Sequence, residues 1–420
     1  MNILQIASLL IVLAAVFGSV NYFFLRLPQA IGILIVALAA SIAAMLVDLA
    51  LPGLGLARDL RAMVQGIDFS DALLEGMLGL LLFAGALHVK MEELRAQAWV
   101  VLIMATIGVG LSVAVVGIGF SWITGMPLLV ALVFGAIVSP TDPVAVLGVL
   151  REAHLRKSLE TQIAGESLFN DGVAYVVFLI LVGLAFGASG DHGGGHAENQ
   201  VMAALKLFGQ EAIGGAVLGA VLGWLTFQVM KRIDEYTLEV LITLALAFGG
   251  YELAIYLHVS APIMAVVSGL MIGHVGMKYG MSEKTRDYVD AFWKLIDEIL
   301  NAVLFLLIGI EVFAVAFDTS HLVAAALAVP LGLFARLIAV AGPIFLLKPF
   351  RNFRGDVIPI MTWGGLKGGI SVALALTLPD TEWKPIILTA TYVVVVFSII
   401  VQGLTIAPLA KRLGREPELM

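Results

Sequence analysis

Cysteine is absent from this chain of 420 residues, and charged residues are scarce. The absence of cysteine excludes disulfides, thiolate metal sites and cysteine nucleophiles. Asp, Glu, Lys and Arg make up only 13% of the residues, whereas hydrophobic residues make up 60%. Soluble domains carry about 25% charged residues, and a soluble domain of this length cannot bury so much apolar surface. The composition therefore predicts an integral membrane protein.

Basic residues are also thinly spread. The sequence has no basic patch and no interleaving of basic and aromatic residues, which are typical of nucleic-acid binding. The first apolar stretch, from Asn2 to about Leu25, lacks the basic region and the small-residue cleavage site of a signal peptide. We interpret it as the first membrane span.

Long hydrophobic runs are abundant, and a membrane-spanning helix needs about 20 predominantly apolar residues. On this rule the predicted spans number 13: 3–24, 29–51, 71–89, 98–121, 127–150, 162–187, 203–230, 238–257, 260–277, 294–317, 321–347, 356–378 and 385–410. The connections between them are short. Residues 1–420 are therefore predicted to form a single all-α polytopic membrane domain.

The distribution of Lys and Arg predicts the orientation of the spans. Of the 24 basic residues, 18 lie on one set of alternate connections and 4 on the other, while Arg336 and Lys367 lie inside spans. Cytoplasmic loops carry the excess of Lys and Arg. We expect a multi-pass protein of the cell (inner) membrane, with its N-terminus outside and its C-terminus in the cytoplasm.

Two of the spans contain helix-breaking residues at mid-depth. In VSPTDPVAV, Pro140 and Pro143 remove two amide donors and are expected to force Ser139 and Asp142 towards extended geometry. In WGGLKGGIS, four glycines surround Lys367, and each weakens a helix interior by up to about 1 kcal/mol. Non-helical backbone at this depth is tolerated where it is packed in protein or lines a wet cavity.

The two interrupted spans occupy matching places in the chain. Each is the second member of a triplet, spans 4–6 and spans 11–13, and the triplets start seven spans apart, so their orientations are opposite. Matched interruptions indicate the inverted repeats of a transporter with a midplane site. Pro and Gly also serve as kinks or close-packing points in membrane helices, but two matched breaks with an acid and a base at their centres favour a site where discontinuous helices cross.

The sequence GESLFNDG carries the richest polar cluster. Glu166, Ser167, Asn170 and Asp171 lie within about 140° of one helix face, and a charge at the bilayer centre costs roughly 2.5–3.5 kcal/mol. Carboxylate, hydroxyl and amide oxygens are ligands of hard cations. Asp142 and the carbonyls of its break add further oxygens, so the pattern predicts a cation site.

Arg336 lies in the apolar run LGLFARLIAVAG and requires a buried anionic partner, because a guanidinium stays charged. Glu166 and Asp142 are the candidates. If Glu166 is the partner, Asp171 is left to hold either a proton or a cation, which is the chemistry of an antiporter. A purely structural ion pair is the alternative for Arg336, and Asn170 either lines the site or orients its neighbours.

Six other polar residues are weaker candidates. They are Glu252 and Glu311 near the outer ends of spans 8 and 10, Asp297 and Glu298 near the cytoplasmic end of span 10, and His192 and His196 in the glycine-rich sequence GDHGGGHAE. We interpret the first four as snorkelling, neutral or solvated groups and the histidines as part of a flexible linker.

With these motifs, the chain resembles the monovalent cation:proton antiporter-1 family, the prokaryotic sodium/proton antiporters related to animal sodium/proton exchangers. The resemblance covers most of the chain. The matching segments are SPTDPVAV at 139–146, GESLFNDG at 165–172, FARLIAV at 334–340, WGGLKGGISVALAL at 363–376 and FSIIVQGLTIAPLAKRLG at 397–414.

The resemblance implies a fold of 13 helices with a six-helix ion-transport core, 98–187 and 321–410. The remaining residues, 1–97 and 188–320, would form a dimerisation domain, and the protein would be a homodimer in membrane lipid. The resemblance implies no cofactor besides the transported ions, and nothing in the sequence indicates a nucleic acid or a soluble macromolecular partner.

The resemblance also implies roles for the site residues. Asp171 would bind the cation or the proton, and Ser167, Thr141 and Asp142 would complete the coordination of Na⁺. The Asn170–Asp171 pair is similar to the electroneutral branch of the family.

Two basic residues also acquire expected roles. Arg336 would form the buried pair with Glu166. Lys367 stands where the family usually has arginine, and it would keep a positive charge at the crossing point.

The leading hypothesis is therefore one-for-one exchange of Na⁺ or Li⁺ for H⁺ by movement of the core. Potassium/proton exchange on the same scaffold is the nearest alternative. A cation channel would need a continuous pore and repeated filter elements, which the sequence lacks. An intramembrane aspartyl protease would need two acids sharing a proton, and the buried arginine disfavours that arrangement.

Overall fold

The computed structural model describes residues 3–51, 72–142, 156–187, 197–313 and 319–413, and within these ranges the regular structure is helical, without strands. The α-helices are α1 (Ile3–Val20), α2 (Gln29–Ala50), α3 (Leu78–Leu87), α4 (Met91–Ile103), α5 (Val109–Thr124), α6 (Leu128–Val138), α7 (Lys157–Phe186), α8 (Ala197–Met230), α9 (Tyr236–Tyr256), α10 (Ala261–Met271), α11 (Glu283–Ile310), α12 (Thr319–Leu347), α13 (Val357–Trp363), α14 (Gly369–Leu376), α15 (Lys384–Phe397) and α16 (Gly403–Leu413).

Membrane-length helices account for most of the described chain. Among the described residues, 9 helical stretches are long and apolar enough to cross a membrane, and Leu78–Leu87 and Leu128–Val138 are shorter apolar helices. Every predicted span overlaps a helix within these ranges, although residue 71 of the third, 143–150 of the fifth and 314–317 of the tenth lie outside the described residues. The all-α, multi-pass fold is confirmed, while the number of spans stays a prediction.

Several helices begin earlier than the hydrophobic runs do. Helix α11 starts at Glu283 rather than near residue 294, and the side chain of Ser282 caps it by accepting a hydrogen bond from the backbone N–H of Thr285. Such a cap satisfies one of the amide donors that a helix start leaves unpaired. A hydropathy criterion ends a predicted span where charged residues begin. The helix itself extends through these charged residues, most of which are exposed.

Short π-helical segments interrupt or extend the α-helices. In the described residues they are Asn21–Leu25, Ala72–Met77, Met104–Gly108, Ile272–Gly280 and Ser398–Gln402. Segments of this kind are frequent at functional sites. The last one joins α15 to α16 and lies beside the second helix break.

The helices that carry the predicted site pack into one hydrophobic cluster. Phe134 of α6, Ala174 of α7, Ala335 of α12 and Ala375 of α14 are all buried within it. Small side chains at such contacts allow helices in a membrane to approach closely. The packing holds the two broken helices and the GESLFNDG helix together.

Candidate ion-binding site

The first break begins where α6 ends at Val138. Ser139 retains helical geometry (φ −76°, ψ −38°), and its hydroxyl donates to the carbonyl of Ala136 at 3.2 Å. The extended geometry predicted for Ser139 is therefore wrong, because this hydrogen bond to the preceding turn favours the helical conformation over the preference imposed by the next proline. Pro140, Thr141 and Asp142 follow without regular structure, and Pro143 lies outside the described residues.

The second break separates α13 from α14. The residues between the two helices, 364–368, include three of the four glycines predicted to interrupt the span, while Gly369 begins α14, and Gly368 is extended (φ −113°, ψ −167°). The two breaks touch each other, since the backbone N–H of Asp142 donates to the carbonyl of Leu366 at 2.8 Å. The second predicted interruption is confirmed, the helix of the first interrupted span ends at Val138 as predicted, with residues from 143 onward outside the described ones, and the two backbones meet.

Lys367 connects the two breaks electrostatically. Its buried ammonium group donates to the carbonyls of Ser139 at 3.0 Å and Pro140 at 3.2 Å. These carbonyls lie at the C-terminal end of α6, where the helix dipole favours positive charge. The backbone N–H of Lys367 donates to the hydroxyl of Ser398 at 2.9 Å, which ties the break to the π-helical segment.

Two glycines of the second break are required by close approach. A Cβ atom on Gly368 would lie 2.7 Å from Oδ2 of Asp142, and one on Gly365 would lie 2.9 Å from Cδ of Arg336. A larger residue at either place would displace a charged side chain of the site.

Arg336 and Glu166 form a bidentate pair, with both side chains less than a tenth exposed. Nη2 of Arg336 donates to Oε2 of Glu166 at 2.8 Å, Nη1 donates to Oε1, and Nε donates to the carbonyl of Met361 at 3.2 Å. The fork of the guanidinium matches a carboxylate in this arrangement. Of the two partners predicted for Arg336, the structure places Glu166 against it.

A network of neutral polar groups joins the first break to α7. The hydroxyls of Thr141 and Ser167 lie 2.9 Å apart. The side chain of Asn170 donates to the Thr141 hydroxyl at 2.7 Å and accepts from the Thr141 backbone N–H at 3.3 Å. Asn170 therefore both lines this region and orients Thr141.

Asp171 differs from these neighbours. The residue is 5% exposed, and its Oδ1 atom has no hydrogen-bond partner among the described residues. The side chain lines a cavity of about 60 Å³ together with Thr141, Asp142, Gly368 and Ser371. A volume of this size has room for water or for a small cation.

Of the remaining candidates, those that the structure describes do not line this cavity. Glu252 is exposed, Glu311 is buried at the end of α11, and neither lines the cavity. Asp297 accepts a hydrogen bond from Asn301, while Glu298 does not line the cavity. The histidines at 192 and 196 lie outside the described residues.

Four residues of the site were missed by the sequence analysis. Ser371 and Asn301 line the cavity. Ser398 and Gln402 hold the second break, the latter by donating to the carbonyl of Trp363 at 2.9 Å. The signal for Asn301 was a lone amide in an apolar run, whereas the other three lie within motifs whose individual roles the sequence does not reveal.

Comparisons with known proteins agree with this architecture. The model of a family described as "Sodium/hydrogen exchanger, transmembrane" matches residues 11–412. The Na(+)/H(+) antiporter NhaP of Pseudomonas aeruginosa is 46% identical, with 98% of this chain and 97% of that protein covered. The Na(+)/H(+) antiporter NhaH of Halobacillus dabanensis is 35% identical, with 84% and 86% covered.

A solved structure shows the same fold. The sodium proton antiporter MjNhaP1 from Methanocaldococcus jannaschii, at pH 8, superimposes with a TM-score of 0.74 over 98% of this chain and 99% of that chain, at 18% sequence identity. The family match and the curated relatives extend over most of the chain. This chain therefore belongs to the sodium/hydrogen exchanger family and is a membrane transporter rather than an enzyme.

Proposed function

We propose that the protein exchanges Na⁺ or Li⁺ for H⁺ across the cell membrane and that Asp171 carries either ion. The observation that supports this most directly is that Asp171 lines the cavity while its buried Oδ1 atom has no hydrogen-bond partner among the described residues. A carboxylate with a free oxygen accepts a proton or coordinates a cation, and the two compete for the same lone pairs. The relatives from Pseudomonas and Halobacillus carry the name Na⁺/H⁺ antiporter.

The neighbouring oxygens suit a hard monovalent cation. The hydroxyls of Thr141 and Ser167 lie 2.9 Å apart, so one cation can contact both. Asp142 lines the same cavity as Asp171. Hydroxyl, carboxylate and carbonyl oxygens are the ligands that hard cations prefer, and we assign Na⁺ coordination to Asp171, Ser167, Thr141 and Asp142.

The charges around the cavity support exchange without net charge movement. Glu166 and Arg336 cancel each other, which leaves two carboxylates, Asp142 and Asp171, against the ammonium of Lys367. One Na⁺ or one H⁺ brings this group to neutrality equally well. We therefore propose a one-for-one, electroneutral exchange that serves pH homeostasis and requires no cofactor.

The transport step requires the site to face each side of the membrane in turn. We propose that the core, 98–187 and 321–410, moves against 1–97 and 188–320, and that the latter set forms a homodimer. Both broken helices and the helix that carries Asp171 fall within the core, so a movement of the core would carry the proposed cation ligands, whereas Asn301, which also lines the cavity, belongs to the other part. The N-terminus would lie outside and the C-terminus in the cytoplasm.

The first test replaces the proposed carrier with a neutral isostere. Asp171→Asn retains the shape of the side chain but neither titrates nor carries charge, so we expect Na⁺-driven proton flux in proteoliposomes to fall to the background level. Glu252→Gln, which neutralises an exposed carboxylate away from the cavity, should retain wild-type flux. Full exchange by Asp171→Asn would exclude Asp171 as the carrier.

A further inference from the structure

Ser371 has a hydroxyl with an unusual environment. The residue is fully buried in the first turn of α14, and its Oγ atom has no hydrogen-bond partner among the described residues. An unpartnered buried hydroxyl is costly. Its position therefore calls for a physical explanation.

Some other buried hydroxyls in the described helices avoid this cost locally. Ser268 donates to the carbonyl of Ala265 at 3.1 Å, and Thr389 donates to the carbonyl of Pro385 at 2.8 Å. Such bonds need a helical carbonyl three or four residues earlier. For Ser371 those carbonyls belong to residues 367 and 368, inside the break, where the backbone is extended at Gly368. The break thus leaves the hydroxyl without its usual acceptor.

Ser371 lines the same cavity as the proposed carrier. Ser371 and Asp171 both line the cavity of about 60 Å³, and each contributes a buried oxygen without a partner in the described part of the chain. The hydroxyls of Thr141 and Ser167 are, by contrast, already hydrogen-bonded to each other. Two residues with unsatisfied oxygens, on the different helices α7 and α14, therefore border one small cavity.

We propose that Ser371 is a further residue of the ion site and that its hydroxyl oxygen binds the transported cation, directly or through one water. This inference rests on the proposed exchange function. It adds a ligand from the second broken helix to a site whose other ligands come from the first broken helix and α7. A cation held in this way would link the two helix breaks, and the hard oxygen of Ser371 would contribute to the choice of cation.

The test compares Ser371→Ala with a matched control in proteoliposomes. Thr391 also has a fully buried hydroxyl without a partner in the described residues, but it does not line the cavity. We expect Ser371→Ala to raise the apparent KM for Na⁺ about three- to tenfold, as for one lost oxygen contact, with Vmax within about twofold of wild type. Thr391→Ala should retain the wild-type KM. An unchanged KM in Ser371→Ala would overturn the proposal.

A second variant changes the chemistry of the atom and keeps the length of the side chain at two heavy atoms. Ser371→Cys replaces a hard oxygen with a softer sulfur, which favours softer cations. We expect the ratio of the apparent KM for Na⁺ to that for Tl⁺ to rise in Ser371→Cys and to stay at its wild-type value in Thr391→Cys. If Ser371→Ala does not fold, Ser371→Cys provides the test instead. An unchanged ratio of the two KM values in Ser371→Cys would refute the proposed contact between Ser371 and the cation.

The outcome also separates this inference from the function on which it rests. If the wild-type protein exchanges no Na⁺ for H⁺, the proposed function fails. If the wild-type protein exchanges the ions and the Ser371 variants match it in KM and in cation preference, only the inference about Ser371 fails.

Discussion

Glu166 and Asp171 are five residues apart on α7, yet their surroundings differ. Glu166 accepts two hydrogen bonds from Arg336, whereas Oδ1 of Asp171 has no partner in the described residues. Removal of one member of a buried pair leaves an uncompensated charge. We therefore expect Glu166 to matter for stability and Asp171 for transport.

The stability of the two variants provides a test of this difference. Glu166→Gln leaves the guanidinium of Arg336 without its carboxylate, and we expect the free energy of unfolding to fall by about 3–5 kcal/mol. Asp171→Asn, the matched control, replaces a carboxylate whose Oδ1 atom has no hydrogen-bond partner in the described residues and should retain the wild-type Tm in detergent. Equal Tm values for Glu166→Gln, Asp171→Asn and the wild-type protein would contradict this assignment.

For single residues, the sequence predicts which kind of chemical group a side chain needs as a partner better than it predicts which residue provides that group. A guanidinium in an apolar run requires an anion, so a buried pair for Arg336 was predictable, although the choice between Glu166 and Asp142 was not. Ser371 was not predictable as a cavity residue. One serine in a glycine-rich helical segment has no distinctive pattern, and its unpartnered hydroxyl results from a helix start that only the fold defines.

The next scale is that of the helices, where the two breaks stabilise each other. The backbone of Asp142 bonds to Leu366, and Lys367 bonds to the carbonyls of Ser139 and Pro140. The positions of the prolines and glycines in the sequence predict where the helices break. The bonds between the breaks join residues more than 220 positions apart in the chain, and no local pattern specifies such a pairing.

The close approach of the breaks provides a second prediction. In Gly368→Ala the new Cβ would lie 2.7 Å from Oδ2 of Asp142. We expect a loss of about 1–3 kcal/mol in the free energy of unfolding from overpacking, together with slower exchange, because Asp142 must shift. Thermal unfolding in detergent and flux in proteoliposomes measure the two effects.

The control is another glycine within a helix. A Cβ atom on Gly249 of α9 would have no described neighbour within 4 Å, so Gly249→Ala should be neutral or stabilising by up to about 1 kcal/mol. If both substitutions behave alike, the contact between Gly368 and Asp142 has no role in holding the breaks together.

Composition predicts the architecture of the whole molecule better than it predicts single helices or residues. The small share of charged residues and the long apolar runs predicted an all-α, multi-pass membrane protein, because lipid requires every backbone polar group to be paired within the segment. The division into a core and a dimerisation domain stays a prediction, as does the orientation of the termini. Both depend on movements and partners that a hydrophobic pattern does not encode.

Electroneutral exchange is a property of the whole molecule and can be measured directly. A transported net charge would couple to the membrane potential by about 2.3 kcal/mol per 100 mV, whereas one-for-one exchange carries none. We expect the rate of Na⁺/H⁺ exchange in proteoliposomes to stay constant when the voltage is clamped at different values. A rate that follows the voltage would reject electroneutral exchange.

The central claim is competition between a cation and a proton at Asp171, and the dependence of the apparent KM for Na⁺ on pH tests it most directly. If one proton competes with one cation, the KM should rise as the pH falls, by at most about tenfold per pH unit, while Vmax stays constant. An apparent KM that is independent of pH, with Vmax falling instead, would contradict competition at a single carboxylate.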